Sequence, residues 1–242
     1  MLAIAILALV PLIVDSAGAA SSVVSRIAHD VHRATGREIV IHTGTVGQIR
    51  RRLAAGERAD IVILSASALK TLSSHGAIVA GTQTPLGASP MAVGVRAGAP
   101  LPDVSTTAAF KRTLLRATAI AATDPAAGAS SGIYFAKLLR RLGIADAIGP
   151  KERLTPGGHS CDLVVQHRAD LCVQNVTEIV PVKGVSVAGL LPPEIQNVIV
   201  YSAGVLSRSS QPAAARAFVR ELSAPRYAPL WRRAGFRAVT SP

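Results

Sequence analysis

Residues 123–132, Thr-Asp-Pro-Ala-Ala-Gly-Ala-Ser-Ser-Gly, follow the apolar strand-like run 119–122 and open an amphipathic helix. That junction restricts the fold more than any other stretch. Small residues let a backbone approach a ligand, and the first-turn N–H groups of a helix have no partner within the helix. Read alone, the stretch is equally an ordinary strand-to-helix turn capped by Ser130 or Ser131.

Two further segments repeat the design. Leu12-Ile13-Val14 leads into Asp15-Ser16-Ala17-Gly18-Ala19 and then a helix whose apolar positions Val23, Val24, Ile27 and Val31 are three and four apart. The run 38–42 leads into Thr43-Gly44-Thr45-Val46-Gly47 and a helix carrying Ile49 and Leu53. In open parallel sheets the ligand site lies at the carboxyl ends of the strands. Three such turns with hydroxyl residues at the helix entry therefore point to a small anionic ligand.

Further strands are expected at 60–64, 91–96, 119–122 and 171–174, alternating with helical segments, which predicts a mostly parallel α/β arrangement. With 242 residues, 49% of them hydrophobic and 17% charged, the chain can bury one large core or two lobes. Pro85-Leu86-Gly87-Ala88-Ser89-Pro90 reads as a connection rather than an element, and 198–201 as a return crossing.

Several of these pieces, in this order, resemble the molybdate-binding proteins of bacterial ABC transporters. They are Ser16-Ala17-Gly18-Ala19, Gly44-Thr45-Val46-Gly47, Ala59-Asp60-Ile61-Val62-Ile63, Asp124-Pro125 with Ser131-Gly132-Ile133-Tyr134, and Ala213-Ala214-Ala215-Arg216-Ala217-Phe218 followed by Gly235-Phe236. The resemblance implies a two-lobed type II periplasmic binding protein fold, with helices on both faces of mostly parallel sheets and a ligand cleft between the lobes. Lobe I would comprise 12–86 and 203–242, and lobe II 87–202.

In that family two hydroxyl residues, backbone N–H groups and a tyrosine hold the oxyanion. Ser16, beside Ala17, and Thr45 match the hydroxyl positions. Ser131, beside Ser130, matches a backbone donor, and Gly157-Gly158 falls near a second. The tyrosine position carries Asn175, after Gln174, so a carboxylate is expected to bind at least as well as molybdate. Glu178-Ile179, Pro181-Val182 and Gly184-Val185 resemble a branch that includes aconitate isomerase. On that alternative, an allylic proton shift needs groups to remove and return a proton, and His159 and Glu178 are the candidates. Binding is the first reading, because three N–H-rich loops account for more of the chain than one His and one Glu.

The resemblance further implies a periplasmic location, an ABC permease as partner, and a monomer. Residues 1–11 read as the remnant of an export leader, and Ala17-Gly18-Ala19 as an accidental match to a cleavage site. A net charge of +12 could serve nucleic acid or an anion cleft, but 3% aromatic residues and the lack of a helix-turn-helix argue against nucleic acid. Arg50-Arg51-Arg52, Arg140-Arg141 and Arg232-Arg233 read as solvated helix faces. His29 and His32 read as surface histidines, and no cofactor or metal is expected. Cys161 and Cys172, placed at opposite ends of a helix–strand pair, are expected to be separate buried thiols.

Overall fold

The computed structural model describes residues 10–239, so most of the segment read as a leader remnant lies outside the described residues. The chain runs β1 (Leu12–Ala17), α1 (Gly18–Thr35), β2 (Ile39–Gly44), α2 (Val46–Ala54), β3 (Ile61–Ser65), α3 (Ala66–Ser74), β4 (Thr84–Arg96), α4 (Thr107–Arg116), β5 (Ile120–Thr123) and α5 (Ser130–Arg141). It continues with α6 (Ala145–Ile148), β6 (Glu152–Thr155), α7 (Asp162–Val165), β7 (Leu171–Asn175), α8 (Val176–Ile179), β8 (Val185–Leu190), β9 (Val198–Val205), α9 (Pro212–Leu222) and α10 (Ala228–Arg233).

The strands join in the order β2-β1-β3-β9-β4-β7-β5-β6, with β8 also on β4. β1 runs parallel to β2 and β3, and β5 runs parallel to β6 and β7. The antiparallel pairings all involve β4 or β9, the strands that cross between the halves. Each half is thus a central strand flanked by two parallel neighbours, with a crossing strand at the seam. β1 and β5 are the two central strands.

Both faces of each half are covered. In one half, Val14, Ile27, Ile63, Phe218 and Trp231 pack on one side and Ile49, Leu64 and Leu69 on the other. The other half packs Phe110, Phe135 and Leu138 on one face and Leu163, Val164 and Ile179 on the opposite one. Burying each large apolar side chain contributes about 1.5–3 kcal/mol. α1 buries Val23, Val24 and Ile27, as their spacing requires, and ends at Gly36, whose φ of 71° is the left-handed cap that glycine adopts without steric cost.

Three expectations need correction. The segment 85–90 is part of the 13-residue strand β4. Its proline and glycine residues mark a register shift between Pro85 and Gly87, not a loop, and the space a Gly87 side chain would fill is taken by the Phe236 ring. Arg50 and Arg51 are exposed, but Arg52 reaches back to the buried Asp15 at 2.7 Å.

Cys161 and Cys172 are joined in a disulfide, their Cα atoms 5.2 Å apart. From sequence, Cys161 near the start of a short helix and Cys172 near the start of the following strand are expected at opposite ends of the pair. α7 is a single turn, and the chain reverses through His167 at φ 57°, which returns Cys172 beside Cys161. Gly94 on β4 makes room for the bridge, since a side chain there would meet the Cys172 sulfur.

Candidate functional site

The long helices begin in two ways. Ser65 caps α3 through Ala68 N–H and Thr106 caps α4 through Ala109 N–H. At α2, Thr45 accepts from Gln48 N–H while the Gln48 side chain accepts from Thr45 N–H, a reciprocal capping box. By contrast α1 follows Ala17 and α5 follows Ala129, neither with a side-chain cap. α9 also lacks one, but it starts with Pro212, which has no N–H to satisfy. The uncapped starts of α1 and α5 are fed by the two central strands, and both face one cavity. Two positive helix ends converge there.

The cavity has a volume of about 260 Å³. Ala17, Gly18, Ala19, Thr43, Thr45 and Gln48 line it from one half, and Thr123, Ser130, Ser131, Gly157, Gly158 and Glu178 from the other. No Lys, Arg or His is among the described lining residues. The rim is closed by contacts between the halves: Gly47 N–H donates to Gly128 O at 3.0 Å, Gln48 Nε2 to Pro156 O at 3.1 Å, and the Thr45 hydroxyl to Ala127 O. A side-chain carbon on Gly47 would lie 2.8 Å from Gly128 Cα, so closure at this point requires glycine.

One wall carries the ionisable groups. Asn175, at the end of β7, donates through Nδ2 to Glu178 Oε2 at 2.8 Å and to the Tyr201 hydroxyl oxygen at 3.1 Å. Ser131 Oγ approaches the same Glu178 oxygen at 3.4 Å. Burial lifts the Glu178 carboxyl to about 7, the donations from Asn175 and Ser131 opposing the shift. Burial, then the nearby Glu178 charge, pushes the Tyr201 phenol well above its ordinary value, so it remains a donor.

Of the residues expected to hold the ligand, Ala17, Thr45, Ser130, Ser131, Gly157 and Gly158 line this cavity, as does Glu178. Ser16, Gln174, Asn175 and His159 are not among its lining residues. The Ser16 hydroxyl is buried and bonds Ala17 O at 3.1 Å. Gln174 reaches Thr123 Oγ1 and Gly158 O, holding the wall from behind. Asn175 Nδ2 is taken up by Glu178 and Tyr201, while its Oδ1 is buried without a partner among the described residues. His159 Nδ1 lies 2.9 Å from the Glu178 backbone oxygen, which can only accept, so the proton is on Nδ1.

Sequence reading missed Thr43, Gln48, Thr123 and Tyr201 as lining residues. Tyr201 ends the expected crossing run 198–201, and a lone tyrosine where a crossing strand passes between lobes is a usable signal. Among the described residues no cluster of three or more His, Cys, Asp or Glu could hold a metal ion, and no helix is long and apolar enough to cross a membrane.

Two lobes joined by crossing strands, closed over a cavity built from helix starts, define the two-lobed periplasmic binding protein fold. Residues 12–237 match the model of the bacterial extracellular solute-binding protein family, and the chain belongs to that family. It is 34% identical over 218 residues to an aconitate isomerase from Pseudomonas sp, covering 88% of this chain and 82% of that one. The periplasmic molybdate-binding protein of Azotobacter vinelandii superposes with a TM-score of 0.80 at 18% identity, covering 95% of this chain and all, 100%, of that one. A sulfate-binding protein of Mycobacterium tuberculosis H37Rv superposes with a TM-score of 0.72 at 20% identity, over 95% of this chain and 87% of that one.

Proposed function

We propose that the cavity binds a small carboxylate-bearing anion and that the protein is a periplasmic solute receptor, monomeric, serving an ABC permease. One observation carries this reading: the uncapped starts of α1 and α5, from opposite lobes, face one cavity whose other polar groups are mostly neutral donors. Closure of the lobes over the ligand brings the two helix starts onto it together. The isomerase relative favours a carboxylate over molybdate or sulfate, because the neighbours named for those oxyanions share only the fold.

A thermal-shift screen against molybdate, tungstate, sulfate, phosphate, citrate, isocitrate and both aconitate isomers tests it. A ligand at a hundredfold excess over its Kd stabilises by about 2.7 kcal/mol. Stabilisation by carboxylates alone supports the proposal; stabilisation by molybdate and tungstate alone replaces the carboxylate with an oxyanion.

Glu178 favours a second reading, an aconitate isomerase-like allylic proton shift. A carboxyl near 7 inside an anion cavity is matched to proton transfer at neutral pH. Ionised, it would take the allylic proton and return it at the other end of the double-bond system, with His159 holding its backbone in place. NMR of aconitate would show the double bond migrate with the wild-type protein and not with Glu178→Gln; a static spectrum with both leaves the receptor alone.

A further inference from the structure

We propose that Tyr201 and the un-ionised carboxyl of Glu178 are a pair of O–H donors to one end of the ligand, so that above neutral pH each anion entering the cavity brings one proton with it. The inference rests on the anion-binding reading and adds what that reading lacks, the source of charge compensation on the Glu178 wall.

The geometry requires such a source. An anion held by the two helix starts lies in the same cavity as Glu178, and no cationic side chain is among the described lining residues to offset a second negative charge. Like charges held close together disfavour each other's ionised forms, and the buried Glu178 takes up a proton more readily than an ordinary ligand carboxylate does. The hydrogen bonds Glu178 accepts from the Asn175 and Ser131 side chains both go to Oε2, and the Asn175 backbone N–H adds a third to the carboxyl. Oε1 points toward the start of α1, where a side-chain carbon on Gly18 would lie 3.9 Å from it. A proton on Oε1 therefore faces the ligand space.

Asn175 sets the second donor. Because its Nδ2 donates to the Tyr201 oxygen, the phenol accepts there and its own proton is free for the cavity, which Tyr201 lines. The groups facing Glu178 are few. Asn175 and Ser131 are neutral, Tyr201 keeps its proton, and His159 touches only the backbone oxygen of Glu178. Neither β8 nor the first turn of α1 carries an ionisable side chain. Glu178 already holds its proton up to about pH 7, and a bound anion extends that range upward.

Calorimetry with trans-aconitate and, separately, molybdate in HEPES and in Tris, above neutral pH, reads the proton directly. The expected result is uptake of close to one proton per anion and a Kd that weakens about tenfold per pH unit above 7. Glu178→Gln should flatten that slope, while Tyr201→Phe should weaken binding at every pH and keep the slope. Binding with no proton uptake and a flat pH profile overturns the proposal and leaves the anion site standing. Failure of both probes to bind at millimolar concentration overturns the anion reading and this inference with it. The isomerase reading needs ionised Glu178 beside its substrate, so proton uptake also counts against it.

Discussion

The turns from β1 into α1 and from β5 into α5 occupy equivalent places in the two halves, yet they are built differently. Both follow central strands, both lack a side-chain cap, and both face the cavity. β1 passes directly into α1, whereas β5 first makes a short 3-10 turn, Pro125–Ala127, before α5. That detour presses α5 against the strand end: a side-chain carbon on Gly132 would lie 2.1 Å from the Thr123 carbonyl oxygen. At Gly18 the nearest such atoms are 3.9 Å away. The same N–H geometry is thus reached once by a direct continuation that tolerates bulk and once by close backbone packing that does not.

The sharpest way to break the comparison is to add a methyl at each glycine. Gly132→Ala should cost about 3 kcal/mol or more in urea unfolding, because backbone must move to relieve the collision. Gly18→Ala should change stability by no more than about 0.5 kcal/mol. Equal costs would mean that the two turns do not differ as described.

A second contrast is chemical, since the carboxyl lies on the α5 side of the cavity and the α1 side offers neutral groups. Glu178 is raised from 4.5 to about 7, so the folded state holds its proton more tightly than the unfolded chain does. Its contribution is fully present below about pH 4.5 and lost as pH rises through 7. Between pH 4 and 8 the wild type should lose on the order of 2–3 kcal/mol relative to Glu178→Gln. Parallel pH profiles for the two proteins would remove the carboxyl from this account.

Next in size is the disulfide, which ties the loop behind Gly157-Gly158. Replacing both cysteines by serine should cost about 2–3 kcal/mol, and mass spectrometry of alkylated, non-reduced protein should show the pair joined. Smallest is the rim contact. Gly47→Ala should hold the lobes slightly apart and weaken ligand binding about tenfold, with little change in the stability of the free protein. Unchanged affinity would show that this contact does not belong to the bound form.

The strands and the helices of the two central turns were legible because each carries its own pattern: continuous apolar runs for β1, β3 and β5, and three-and-four spacing for α1. β4 was obscured because Pro85, Gly87 and Pro90 serve strand packing and a register shift, although the same residues elsewhere mark loops. The disulfide was missed because the reversal through His167, which returns Cys172 beside Cys161, carries no signal in the residues that follow the short helix. In the site, residues next to glycines at helix starts could be read. The distinction between Ser16, turned inward, and its neighbour Ala17, which lines the cavity, could not, because it depends on the orientation of the strand end. Tyr201 joins Asn175 and Glu178 only through the pairing of the crossing strands.

The central claim is that one small anion is held by both helix starts at once. Titrating 15N-labelled protein with trans-aconitate while following the backbone amides of Gly18, Ala19, Ser131 and Gly132 tests it most directly. The account predicts large shifts at both helix starts, saturating together with a single Kd. Shifts confined to one helix start, or saturation elsewhere on the protein with these four amides unmoved, would contradict it.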